Sequence, residues 1–117
     1  MKLIYVASPY AGDVKRNLEY AKAACRIVMD SGRAFFAPHL LYPGLLDDRI
    51  PQERQLGMDM GHTVLARYDE LWVFGSTVSP GMRTEMEEAE RLGIPIRKME
   101  LEVGQDVSTI PSMTAPC

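Results

Sequence analysis

Short apolar runs alternate along the chain with longer segments of helical periodicity. Residues 2–7 form a β-rich apolar run with little alternation, which is typical of a strand buried on both faces. Residues 33–37, 69–74 and 94–98 give three further short runs, of which residues 69–74 are the clearest. The pattern therefore predicts four strands.

Two of the segments between these runs have the apolar spacing of helices. Asp13 can cap a helix that runs to about Ser31, with Gly32 as its stop. Its predicted apolar stripe consists of Val14, Leu18, Ala21, Cys25, Val28 and Met29. Pro51 fits the first turn of a second helix, which reaches about Arg67. Its inward positions are predicted to be Leu56, Met60 and Val64.

The third helix has signals at both of its ends. Ser79 is a preferred N-cap residue, Pro80 suits the first helical position, and Gly93 suits the C′ position. Residues 38–50 contain two prolines, Gly44 and a pair of acids, and we predict a loop there. The predicted order of elements is therefore β-α-β-α-β-α-β.

This alternation predicts an α/β domain with a doubly wound parallel sheet in the order 2-1-3-4 and helices on both faces. Ligands bind to such sheets beyond the carboxyl ends of the strands, where the winding direction reverses. That point lies between the turns at residues 8–12 and 75–81, and each turn opens a helix. We expect one domain over residues 1–103, followed by a tail at 104–117 that is disordered or lies on a partner copy.

Composition and charge exclude several classes of function. Thirteen Lys and Arg against sixteen Asp and Glu leave a net charge of −3, which disfavours a protein that binds duplex nucleic acid. No apolar run approaches the length of a membrane span, and residues 3–7 are too short for a signal-peptide core. We therefore expect a cytoplasmic protein in which Cys25 and Cys117 are reduced thiols.

No cofactor or metal is expected from the motifs. The sequence contains neither a P-loop nor a G-x-G-x-x-G fingerprint, and it has no G-x-S-x-G elbow. Two histidines without a cysteine pair also argue against a structural zinc site.

Glu85 is the most informative candidate for catalysis. On a helical wheel it lies near the centre of an apolar arc, whereas Glu87 points to the opposite side. A carboxylate on the core side of a helix is costly unless something uses it, and the nearby helix N-terminus favours its ionised form. An ionised, half-buried carboxylate is a good nucleophile, but a glutamate that reaches solvent or pairs with an arginine is an equal alternative.

Several polar residues near the same sheet edge are weaker candidates. Ser8, Tyr10 and Gly12 could hold a phosphate or a sugar, although an ordinary strand-to-helix turn explains them more simply. Ser79 and Gly81 pose the same choice between a plain helix cap and an anion site. His39 and Asp59 are expected at the surface by default. Met58, Met60, Met82 and Met86 are expected in the core.

Four motifs resemble the nucleoside 2-deoxyribosyltransferase-like superfamily, particularly its small phage and bacterial branch. They are residues 4–12 (IYVASPYAG), 37–40 (APHL), 69–75 (DELWVFG) and 79–85 (SPGMRTE), within a resemblance that covers roughly residues 2–99. The resemblance implies a flavodoxin-like sheet and a glutamate nucleophile at Glu85. It also implies sugar or 5′-phosphate contacts from the turn after the first strand and from the stretch that contains Ser79, Gly81 and Met82.

The resemblance implies cleavage of an N-glycosidic bond in a nucleoside or nucleoside 5′-monophosphate, by hydrolysis or by deoxyribosyl transfer. The departing base needs a proton or a hydrogen bond, for which His39 and Asp59 are the candidates. It further implies a homo-oligomer, because a neighbouring subunit often completes the site in this superfamily. Two alternatives stay open: a catalytically silent nucleotide-binding module and a small assembly protein on the same fold.

Overall fold

A four-stranded parallel sheet forms the centre of the molecule. The computed structural model describes residues 1–101. The strands are β1 (Leu3–Ala7), β2 (Ala34–Phe36), β3 (Glu70–Phe74) and β4 (Ile96–Met99). They lie in the order β2-β1-β3-β4, and each adjacent pair is parallel. The predicted α/β class and strand order are confirmed, although β4 begins two residues later than the predicted run.

Helices connect the strands. They are α1 (Val14–Asp30), α2 (Pro38–Leu41), α3 (Pro51–Leu65) and α4 (Pro80–Leu92). The Asp13 side chain accepts a hydrogen bond from the Arg16 N–H and thereby caps α1. Gly93 ends α4 with a φ of 74°, a left-handed conformation that glycine adopts without steric cost. The capping signals in the sequence therefore located the ends of these helices correctly.

The segment between β2 and α3 is more ordered than the loop predicted for residues 38–50. It contains α2 and then a 3₁₀ turn at Tyr42–Gly44. Pro38 occupies the start of α2, where its missing N–H costs nothing, and the N–H groups of Leu45 and Leu46 both donate to the Tyr42 carbonyl. These local hydrogen bonds form regular turns where the prolines and the glycine predicted an irregular loop.

Alternate residues of the two central strands pack against opposite layers of helices. Ile4, Val6, Trp72 and Phe74 share one core cluster with α1, and Tyr5, Ala7, Leu71 and Val73 share the other with residues of α3 and α4. Burial on both faces explains why these strands read as continuous apolar runs in the sequence. It also directs the hydroxyl-bearing Tyr5 toward the layer of α3 and α4.

Two predicted apolar stripes are wrong in part. Val14 and Met29 are exposed at the two ends of α1, because the buried face of that helix centres on Ala24 and Val28. Leu56 is exposed on α3, whose buried residues are Gly61 and Leu65. The buried face of α3 thus centres on Gly61 and Leu65, and the predicted Val64 packs at its edge against the same core cluster.

Charged residues at the amino end of the sheet are structural. Asp69 accepts a hydrogen bond from the Leu3 N–H at 2.8 Å, and Glu70 accepts one from the Trp72 indole at 2.9 Å. The guanidinium groups of Arg33 and Arg97 lie 5.1 and 5.0 Å from the centre of the Trp72 ring. This end of the sheet lies opposite the edge where a ligand was predicted.

Of the two cysteines predicted to be reduced thiols, only Cys25 lies within the described residues. Cys25 is buried within α1, and burial raises its pKa to about 12, so that it stays a neutral thiol at physiological pH. Cys117 and the predicted tail at residues 104–117 lie outside the described residues. The domain boundary at residue 103 therefore stays a prediction.

Candidate active site

A cavity of about 470 Å³ lies at the carboxyl edge of the sheet. Its walls come from the turn after β1, the segment from α2 to α3, the inner face of α3, and the first turns of α4. The residues that line it include Tyr5, Tyr10, His39, Tyr42, Asp48, Arg54, Gly57, Met58, Gly61, His62, Ser79, Gly81, Thr84 and Glu85. The cavity lies at the predicted topological switch point, because β1 and β3 are adjacent there.

Glu85 extends from α4 into this cavity and is 9% exposed. Burial raises the pKa of its carboxyl group to about 7, and a hydrogen bond from the Tyr5 hydroxyl partly opposes that rise. The predicted inward direction is confirmed. The predicted ionised form needs correction, because removal from water outweighs the nearby helix N-terminus and favours the protonated form of the carboxyl group.

The Tyr5 hydroxyl is held beside Glu85 by its surroundings. The Tyr5 side chain is 1% exposed, and its ring packs against Phe36 and Tyr68 at centroid distances of 5.5 and 6.3 Å. Burial and the Glu85 carboxylate both raise the pKa of the Tyr5 hydroxyl, which therefore stays protonated and donates. A β-carbon at Gly61 would lie 2.7 Å from the Tyr5 Oη, so only glycine leaves room for this hydroxyl.

Ser79 and Gly81 bring the N-terminus of α4 to the cavity wall. The Ser79 Oγ accepts a hydrogen bond from the Met82 N–H at 3.2 Å, so this serine is a helix cap as predicted. Both Ser79 and Gly81 line the cavity, and a β-carbon at Gly81 would meet no atom within 4 Å. The positive end of the α4 dipole thus faces open space that an anion could occupy.

Tyr10 and His39 form a second wall together. Their rings are stacked, with centroids 5.2 Å apart and an interplanar angle of 23°. The Asn17 side chain fixes the turn that carries Tyr10, because its amide donates to the carbonyls of Tyr10 and Ala11 at 3.0 and 2.9 Å. Burial lowers the pKa of His39, an effect that Asp48 partly opposes. The neutral imidazole is therefore the favoured form of His39.

Four of the predicted site residues do not line the cavity. Ser8 is 1% exposed, whereas Gly12 is exposed and has a φ of 94°. Met82 is 1% exposed because it packs in the core cluster of α3 and α4. Asp59 is exposed and accepts a hydrogen bond from Gln55 at 2.8 Å. Gly57 and Gly61 face the cavity from α3, and Asp59, two residues from each, points away.

Other lining residues were not identified from the sequence. Tyr5 and Gly61 had no signal, because a tyrosine in a buried strand and a glycine in a helix have common structural explanations. Met58 was predicted to be core but lines the cavity. His62 also lines it, and its Nε2 is buried with no hydrogen-bond partner within residues 1–101. The packing of α3 against the sheet brings Met58, Gly61 and His62 to the cavity beside Tyr5 of β1.

Two kinds of feature are absent from the described residues. Within residues 1–101 no helix combines the length and the apolar character needed to cross a bilayer. The same residues contain no group of three or more His, Cys, Asp and Glu side chains placed to hold a metal ion.

Comparison with solved structures identifies a similar fold. A 2-deoxyribosyltransferase from the psychrotolerant bacterium Bacillus psychrosaccharolyticus aligns with a TM-score of 0.69 and 19% sequence identity. The alignment covers 97% of this chain and 80% of that enzyme. No curated protein matches the chain in sequence. The predicted resemblance to 2-deoxyribosyltransferases is thus confirmed at the level of the fold.

A family model adds a sequence-level match. The model of a domain of unknown function, DUF7768, matches residues 2–99, which include all four strands and every residue named above as lining the cavity. The chain therefore belongs to the DUF7768 family and has the α/β fold of a 2-deoxyribosyltransferase.

Proposed function

We propose that this protein cleaves the N-glycosidic bond of a nucleoside or a nucleoside 5′-monophosphate, with Glu85 as the nucleophile. The observation that carries the proposal is a buried carboxylate in the cavity at the switch point, hydrogen bonded by a buried tyrosine. A strongly shifted pKa inside a cavity is a feature of functional groups. The fold shared with a 2-deoxyribosyltransferase supports the same class of substrate.

The proposed reaction uses the ionised form of Glu85. One carboxylate oxygen forms a bond to C1′ while the bond from C1′ to the base nitrogen breaks, and the electron pair leaves with the base. The Tyr5 hydroxyl donates to the carboxylate and holds its orientation. Water or a second base then attacks C1′ and releases the Glu85 carboxylate. A proton from water neutralises the departing base. Of the two candidates from the sequence only His39 lines the cavity, and its neutral imidazole can donate an N–H hydrogen bond to that base.

The α4 N-terminus is the proposed site for a 5′-phosphate. Ser79→Ala is expected to weaken the binding of nucleoside monophosphates several-fold more than that of the matching nucleosides, because the serine hydroxyl and the helix dipole act on the anion. Calorimetric titration of wild type and variant with both ligand forms measures the difference. Equal weakening of the two would show that Ser79 only caps the helix.

A homo-oligomer of at least two copies is also proposed. Leu41 and Leu45 are 48% and 70% exposed, and each is next in sequence to a residue that lines the cavity. Association of two copies would remove this apolar surface from water. Sedimentation at micromolar concentration is expected to give a mass of at least twice 13.1 kDa. A single species of 13 kDa would contradict the proposal.

A catalytically silent nucleotide-binding module is the second candidate. The raised pKa of the buried Glu85 carboxyl favours it, because a protonated carboxyl group is a poor nucleophile. Incubation with a panel of nucleosides and deoxynucleoside monophosphates separates the candidates. Release of free base supports the enzyme. Ligand-induced shifts in melting temperature without base release support the binding module. If neither effect is observed, the small assembly protein is the remaining alternative.

A further inference from the structure

The cavity wall between α2 and α3 carries an acidic side chain and a basic side chain that the proposed chemistry does not use. Asp48 precedes α3 and Arg54 lies in its first turns, and both line the cavity from the exposed side. Neither side chain has a hydrogen bond or an ion-pair partner within residues 1–101, and the two do not form an ion pair with each other.

The neighbouring pair of the same type behaves differently. Arg49 donates to both carboxylate oxygens of Asp47 at 3.0 Å, and this pair does not line the cavity. In this segment Asp47 and Arg49 therefore bind each other. The side chains of Asp48 and Arg54 instead face the cavity with their hydrogen-bonding groups available. This contrast indicates that Asp48 and Arg54 are available to a ligand.

The positions of the other groups assign the ligand's base to this wall. If the proposed function holds, C1′ of the sugar faces Glu85 and a phosphate faces the N-terminus of α4. The base then extends toward the remaining wall, where Tyr42, Leu46 and Met58 offer apolar surface for its faces. Asp48 and Arg54 are the charged groups of that wall.

We propose that Asp48 and Arg54 select a guanine base. A carboxylate accepts two parallel N–H donors, and guanine presents such a pair at N1 and N2. A guanidinium donates to two parallel acceptors, and guanine presents such a pair at O6 and N7. Adenine, cytosine, thymine and uracil each lack at least one of these pairs, so guanine alone gives both charged side chains bidentate partners. This inference rests on the proposed function and specifies its substrate class.

The test compares ligands that differ from guanine by single groups. Affinities are measured by calorimetry in the Glu85→Gln background, so that no ligand is consumed, with the 5′-monophosphates of 2′-deoxyguanosine, 2′-deoxyinosine and 7-deaza-2′-deoxyguanosine. Inosine lacks the N2 amino group and 7-deazaguanine lacks the N7 acceptor. We expect the guanine ligand to bind about tenfold more tightly than either analogue and than the other natural deoxynucleotides.

Two variants assign each discrimination to its residue. Asp48→Asn is expected to remove the preference for guanine over inosine, and Arg54→Met to remove the preference for guanine over 7-deazaguanine. Asp47→Asn and Arg49→Ala are the matched controls and are expected to keep both preferences.

Other outcomes would overturn the inference in distinguishable ways. Equal affinity for all bases, preference for another base, or discrimination that survives in both variants would refute guanine selection and leave the proposed function standing. If wild type neither binds nor cleaves any nucleoside or nucleotide of the panel, the proposed function fails together with this inference.

Discussion

Replacing Glu85 with glutamine is expected to reduce base release by at least about a thousandfold, because a neutral amide is a poor nucleophile toward C1′. The fold should persist, since glutamine matches the shape of the protonated side chain. Chromatographic detection of free base at saturating nucleotide measures the effect. The matched control is Glu87→Gln on the same helix, where the glutamate is exposed, and it should keep the wild-type rate.

The same substitution is expected to stabilise the protein at alkaline pH. The folded-state pKa of Glu85 is about 7, above the ordinary value of 4.5, so the folded state binds this proton more tightly than the unfolded state does. Stability from this group is fully present below pH 4.5 and is lost as the pH rises toward 7. The loss is on the order of 3 kcal/mol, and Glu85→Gln removes it.

Thermal melting of the two proteins at pH 5 and pH 8 measures this effect. The variant should melt at a higher temperature than wild type at pH 8, and the difference should be smaller at pH 5. Wild-type turnover should rise with pH through about 7, as the carboxylate forms. Turnover that instead falls over this range would show that the protonated form of Glu85 is the active one.

Gly61→Ala is expected to lower base release by about a hundredfold, a loss typical of a catalytic group displaced by about 1 Å. The new β-carbon would lie 2.7 Å from the Tyr5 Oη, and the packed ring of Tyr5 limits its retreat. The hydrogen bond from Tyr5 lowers the pKa of Glu85. Displacement of the hydroxyl weakens this bond and therefore raises that pKa. The pH at which turnover rises should therefore move upward.

Gly57→Ala is the control for this prediction, because it lies one turn earlier on α3 and also lines the cavity. Its β-carbon would meet the Leu46 Cδ1 at 3.3 Å, the end of a flexible side chain. Both substitutions favour the helix by about 1 kcal/mol, so propensity cannot explain a difference between them. Comparable rates for the two variants would mean that the Tyr5 position does not matter for catalysis.

The sequence was sufficient for the fold and for the direction of Glu85. The alternation of strands and helices and the rule for crossover handedness predict the order 2-1-3-4, and the helical wheel turns Glu85 inward. These features depend on local periodicity, which a single sequence displays. The capping residues Ser79 and Gly93 were identifiable for the same reason.

The wall opposite Glu85 could not be predicted in this way. Tyr42 and Asp48 lie in a segment without periodicity, where α2 and a 3₁₀ turn determine which side chains meet. The orientation of α3 followed from packing against the sheet, which turned Asp59 outward and Gly61 inward. The pKa of Glu85 also depends on burial by residues distant in sequence, so a single-helix argument overestimated its ionisation.

Trapping the glycosyl-enzyme tests the central claim most directly. A deoxynucleotide with a fluorine at C2′ destabilises the oxocarbenium-like transition state and slows hydrolysis of the intermediate. Mass spectrometry of the digested protein is expected to find one sugar phosphate on the peptide that contains Glu85, with one equivalent of free base released, and no adduct on Glu85→Gln. Sustained release of base by the wild type, with no adduct at Glu85 and with most of the rate retained by Glu85→Gln, would contradict the account.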